Sequence, residues 1–101
     1  MKRYILAPEA KQDLADIKRY LTRETGARVA KSTLKKIKDA IVFLGDTPGA
    51  GHFREDLTDD TLKFWSVYSY LIIFDPIAQP IEIARVIHGS REVSAILSRD
   101  D

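Results

Sequence analysis

Two stripes of apolar residues at helical spacing, separated by one glycine, constrain this chain more than any other feature. Ala10, Leu14, Ile17 and Leu21 recur at steps of four, three and four. Ala30, Leu34, Ile37, Ile41 and Leu44 follow at four, three, four and three, so each set lies along one side of an α-helix. Pro8 suits a first helical turn and Glu9 favours the positive end of the helix dipole. Gly26 stops the first helix, and Gly45 and Pro48 end the second. The spacing predicts an antiparallel helical hairpin whose two stripes are buried against another element.

That element is a sheet. Tyr4, Ile5 and Leu6 form a short first strand, free to pair with any exposed edge. After a turn-rich stretch from Asp46 to Thr61, Leu62, Phe64, Ser66 and Tyr68 alternate with Lys63, Trp65, Val67 and Ser69, a period of two rich in aromatic and β-branched residues. Tyr70 to Phe74 is a continuous apolar run, the pattern of a strand buried on both faces. Asp75-Pro76 and Gln79-Pro80 bound a loop. Ile81 to His88 alternates again, with Ile81, Ile83, Arg85 and Ile87 on one side and Glu82, Ala84, Val86 and His88 on the other. Ser90 is placed to cap a short C-terminal helix carrying Val93, Ile96 and Leu97. The expected fold is a two-layer α+β domain over residues 1–101: an N-terminal strand, the helical hairpin, a three-stranded antiparallel meander and a short C-terminal helix.

A length of 101 residues implies one domain, and 45% apolar with 31% charged residues implies a globular one. There is no cysteine, which excludes disulfides, thiolate nucleophiles and cysteine zinc sites, and fits a reducing compartment, so the expected location is the cytoplasm. The first ten residues lack the apolar run of a signal peptide or a membrane span. The net charge of +1 conceals a division: residues 1–44 carry eleven basic and five acidic side chains, and residues 45–101 five basic and ten acidic ones. A +6 helical half joined to a −5 half argues against general nucleic-acid binding and for recognition of an acidic protein.

Several residues are candidates for function. Arg28, Lys31, Lys35 and Lys38 follow one another at three, four and three along the second helix, as a solvated face or as a docking surface for an acidic partner. His52 lies in Pro48-Gly49-Ala50-Gly51-His52-Phe53-Arg54-Glu55-Asp56-Leu57, which lacks the Lys-Ser or Lys-Thr of a phosphate-binding loop. Neither His52 nor His88 has the spacing of a metal site, so no metal and no cofactor are expected. Arg85 shares its alternating face with isoleucines and needs a partner there. That partner is a carboxylate such as Glu55 or Asp56, or else Arg85 joins Arg54, His88 and Arg91 in an anion-binding cluster. Trp65 falls on the opposite strand face from Phe64 and Tyr68; exposed beside Lys63 and Val67, it would mark a protein-binding patch.

Three runs together suggest a family: Pro-Gly-Ala-Gly-His-Phe-Arg-Glu-Asp-Leu-Thr at 48–58, Phe-Trp-Ser-Val-Tyr-Ser-Tyr-Leu-Ile-Ile-Phe-Asp-Pro at 64–76, and Ile-Ala-Arg-Val-Ile-His-Gly-Ser-Arg-Glu at 83–92. With the opening from Tyr4 to Leu21, the chain resembles the ParE branch of the RelE/ParE toxins of bacterial type II toxin–antitoxin modules. The resemblance implies a small cytosolic toxin held by an antitoxin in a hetero-oligomer. RelE-type members cut mRNA on the ribosome with basic side chains on the central strands and usually a C-terminal tyrosine. Here residues 66–74 contain no Arg or Lys, and no Tyr follows Arg91.

The resemblance therefore implies the ParE activity, poisoning of DNA gyrase by binding, with a ParD-like ribbon-helix-helix antitoxin as partner. The alternatives are a ribosome-dependent ribonuclease using Arg85, His88, His52 and Arg91, and a non-toxic antitoxin partner or corepressor. Target contacts are expected among His52, Arg54, Trp65, Arg85, His88 and Arg91, and antitoxin contacts at Arg28, Lys31, Lys35 and Lys38. The candidate toxic surfaces are the loop from His52 to Asp56 and the segment from Arg91 to Asp101.

Overall fold

A computed structural model describes residues 3–53 and 61–88. Strand β1 (Tyr4–Leu6) leads through Ala7 into helix α1 (Pro8–Thr25), with the proline ring in the first turn and Glu9 beside it. Gly26 ends α1 and starts helix α2 (Ala27–Asp46) with no residue between them. It donates its N–H to the Thr22 carbonyl at 3.1 Å and accepts from the Ala30 N–H at 3.1 Å. The φ of +93° at Gly26 is one that a side chain would strain, so glycine makes this sharp reversal possible.

The two predicted stripes are the buried ones. Ala10, Ile17 and Leu21 of α1 and Ala30, Leu34, Ile37, Ile41 and Leu44 of α2 are all buried, and Leu14 packs against them partly covered. Burying each of the larger side chains contributes roughly 1.5–3 kcal/mol relative to exposure.

Beneath the hairpin lies a sheet of five strands: β1, then β2 (His52–Phe53), β3 (Lys63–Val67), β4 (Tyr70–Asp75) and β5 (Ile81–His88). Their order is β1-β5-β4-β3-β2, with β1 parallel to β5 and every other pair antiparallel. The predicted meander is therefore its centre, and the N-terminal strand takes the β5 edge. The two-residue β2 lies within the stretch read from sequence as turns. It forms because His52 and Phe53 can pair with Phe64 and Lys63, a long-range gain that local composition does not announce. Tyr68 and Ser69 form the two-residue β3–β4 connection, with Tyr68 at φ +55° in the left-handed region that such hairpin turns demand.

The alternation expected for β5 breaks in the middle. Phe74 pairs with Ile83, but Ile73 pairs with Arg85, so Ala84 is an extra residue and the strand bulges. Ile81, Ile83 and Val86 consequently join Ile72 and Phe74 in the core under the helices, whereas Ile87 joins Phe64, Leu71 and Ile73 in a second buried cluster. The single face predicted for Ile81, Ile83, Arg85 and Ile87 is split by that one residue. The predicted C-terminal helix, with Val93, Ile96 and Leu97, lies outside the described residues.

Candidate functional site

The bulge in β5 determines what Arg85 does. β1 covers β5 only along Ile81, Glu82 and Ile83, and beyond it the second turn of α1 brings Asp13 to the strand. The Asp13 carboxylate accepts three hydrogen bonds: Arg85 Nε at 2.7 Å, Arg85 Nη2 at 2.9 Å and the Val86 backbone N–H at 2.9 Å. This is a forked guanidinium–carboxylate pair, largely shielded from water, that fastens α1 to β5. The charged residue expected to need a partner has one, but it comes from helix α1. The partners predicted for it, Glu55 and Asp56, lie outside the described residues, as do Arg54 and Arg91 of the proposed anion cluster. Held by Asp13, Arg85 is a brace between layers.

The two histidines do not converge. His88 ends β5 opposite Tyr70, with the rings edge-on at 5.8 Å, and its Nδ1 is buried without a hydrogen-bond partner. Tyr70 belongs to the helix-side core. His52 is exposed on β2 and pairs with Phe64, whose side chain lies in the cluster on the far side of the sheet. His52 is level with Arg85 but three strands away, roughly 14 Å at the usual strand spacing. Of the residues named for the ribonuclease alternative, Arg85, His88 and His52 are thus spread over both faces of the sheet, and Arg91 lies outside the described residues.

Trp65 does face away from Phe64, as the alternation predicted, but it is not an exposed patch. It is half-buried in the helix-side core, and its ring meets Phe43 of α2 at 5.3 Å. Removing that contact with Phe43→Ala should cost about 1 kcal/mol and shift the emission of the chain's one tryptophan to the red, as measured by urea titration with fluorescence. Phe53 of the neighbouring strand β2 is exposed, with the Lys63 ammonium 5.0 Å above its ring and hydrogen-bonded to the Gly49 carbonyl at 3.1 Å. Sequence reasoning did not single out Phe43, Phe53 or Asp13, although Phe53 lies within the His52–Asp56 loop named as a candidate surface. The first two adjoin recognised features; for Asp13 the signal was a carboxylate one residue before Leu14 of the buried stripe.

Arg28, Lys31, Lys35 and Lys38 are exposed along α2, with Lys35 paired to Asp39 at 3.0 Å. Among the described residues no group of three His, Cys, Asp or Glu could hold a metal, and no helix is long and apolar enough to cross a membrane.

The sequence matches the family model of the ParE toxin of type II toxin–antitoxin systems, parDE, over residues 4–93. The chain belongs to the ParE toxin family. The fold of this ParE-family toxin is also similar to that of a solved chain from the chromosomal ParDE toxin–antitoxin system of P. aeruginosa, with a TM-score of 0.75 and 16% identity over 86% of this chain and 95% of that one. At that identity the likeness concerns the fold. No curated protein matches the sequence.

Proposed function

We propose that this ParE-family toxin acts by binding DNA gyrase and stalling its cleaved-DNA intermediate, and that a cognate ParD-like antitoxin neutralises it. One observation carries the choice of target over mRNA cleavage: among the described residues no cationic catalytic cluster is assembled on the sheet. Arg85 is held by Asp13, His52 and His88 belong to opposite faces, and residues 66–74 supply no Arg or Lys. Cleavage of a phosphodiester needs preorganised positive charge where negative charge develops, together with a base in reach of the attacking hydroxyl.

The target surface suggested by this arrangement is the β2 edge, where His52 and Phe53 are exposed on a short outer strand beside Lys63. An edge strand with unpaired backbone groups and one exposed aromatic is suited to contact with another protein. Purified toxin should inhibit supercoiling and accumulate double-strand breaks in a gyrase assay, and Phe53→Ala should weaken both about tenfold. Unchanged supercoiling and cleavage, with codon-positioned cuts in a ribosome toeprint, would replace this reading with the ribonuclease.

A further inference from the structure

The outer face of helix α2 is patterned as regularly as its buried one. Opposite the core stripe, Arg28, Ser32, Lys35, Asp39, Val42 and Asp46 recur at steps of four, three, four, three and four, and all six are exposed. The stripe carries both signs, and their order is a palindrome about Ile37. Arg28 and Asp46 stand nine residues before and after it, Ser32 and Val42 five, and Lys35 and Asp39 two. Each cation therefore has an anion at the mirrored position, and the uncharged Ser32 mirrors the uncharged Val42.

A two-fold axis that crosses a helix at its midpoint brings mirrored positions together, because the second helix runs antiparallel to the first. Arg28 of one copy would then lie against Asp46 of the other, and Lys35 against Asp39, each contact made twice. At 1.5 Å per residue the inner pairs fall about 3 Å and the outer pairs about 13.5 Å from the axis, so opposite charges meet along the whole stripe. Just off the stripe, the exposed Lys31 and Phe43 are also mirrored, six residues either side of Ile37, which would set an ammonium against the ring of the other copy.

Within one copy these charges are loosely held. Lys35 meets Asp39 at 3.0 Å and Arg3 meets Asp46 at 3.7 Å, with all four side chains more than half exposed. Surface pairs of this kind contribute little and can change partners at little cost. Arg28 forms no ion pair among the described residues. A wholly acidic segment laid on the stripe would meet Asp39 and Asp46, and so would a nucleic-acid backbone. The surface that complements the stripe carries the same charges in reverse order, which is the stripe itself read antiparallel.

We infer that the outer face of α2 is a self-association surface, on which a second copy of this chain docks antiparallel about a two-fold axis at Ile37. The inference goes beyond the proposed target and does not depend on it. A contact between two single helices is small, so the dimer is reversible, forming in the micromolar range.

The test is sedimentation velocity of the purified toxin over a concentration series at low salt, where exposed charges are least screened. The parent chain should pass from monomer to dimer as its concentration rises. Lys35→Glu sets a carboxylate against Asp39 at both copies of the contact and should weaken the dimer about tenfold or more. Lys35→Glu/Asp39→Lys exchanges the two charges and should restore it to within about threefold of the parent. Lys36→Glu makes the same change in charge on the neighbouring residue, off the stripe, and should stay within about twofold. Circular dichroism checks that each variant is folded. A toxin that stays monomeric up to about 0.5 mM overturns the inference. So does a dimer that Lys36→Glu weakens as much as Lys35→Glu, or one that the charge exchange does not restore.

Discussion

Replacing Asp13 with alanine is expected to lower the stability of this toxin by about 2–3 kcal/mol. The carboxylate satisfies two guanidinium donors and one backbone N–H, and its loss leaves the partly buried Arg85 guanidinium and the Val86 N–H without that acceptor. The upper end of the usual cost of breaking a buried ion pair does not apply, because the Arg85 side chain keeps 29% of its surface exposed and water can take over some of the lost bonds. Arg85→Ala should also destabilise, since it leaves the Asp13 carboxylate, 12% exposed, with only the Val86 N–H of its three donors. The double variant should show a coupling of about 1–2 kcal/mol by urea denaturation. Additive losses would mean that the two side chains are not a unit.

The second large effect is expected at Gly51, the residue before β2. Its φ is +89°, and a Cβ there would lie 2.8 Å from Phe74 Cζ and 3.3 Å from the Phe64 carbonyl oxygen. Phe74 is fully buried, so its ring has little freedom to retreat. Gly51→Val combines backbone strain with a clash and should cost about 3 kcal/mol or more, lowering the melting temperature by more than about 10 °C. Gly49→Ala, two residues earlier and with nothing within 4 Å of the added carbon, should stay within about 0.5 kcal/mol. If calorimetry shows equal shifts for the two, the close approach at Gly51 is not what constrains the loop.

Both predictions concern residues whose importance the sequence shows poorly. Gly51 reads as one of two glycines in a turn, and only the crossing of β2 over Phe74 separates it from Gly49. The candidate target residues divide in the same way. His52 is exposed at an edge, whereas Trp65 is occupied by Phe43 and Arg85 by Asp13. The lysines of α2 were legible because charge and spacing are local properties.

The sequence by itself determined the helical hairpin, the break at Gly26, the three central strands and the family, because periodicities of 3.6 and 2 and the residues that interrupt them are written over a few consecutive positions. Only the tertiary structure decided which face each β5 residue takes beyond Ile83, since one bulged residue inverts the alternation after it. It also decided that Arg85 is held by Asp13, 72 residues away. A charge on a chain specifies a need for compensation, and the side chain or partner that meets that need is selected only when distant elements are brought together.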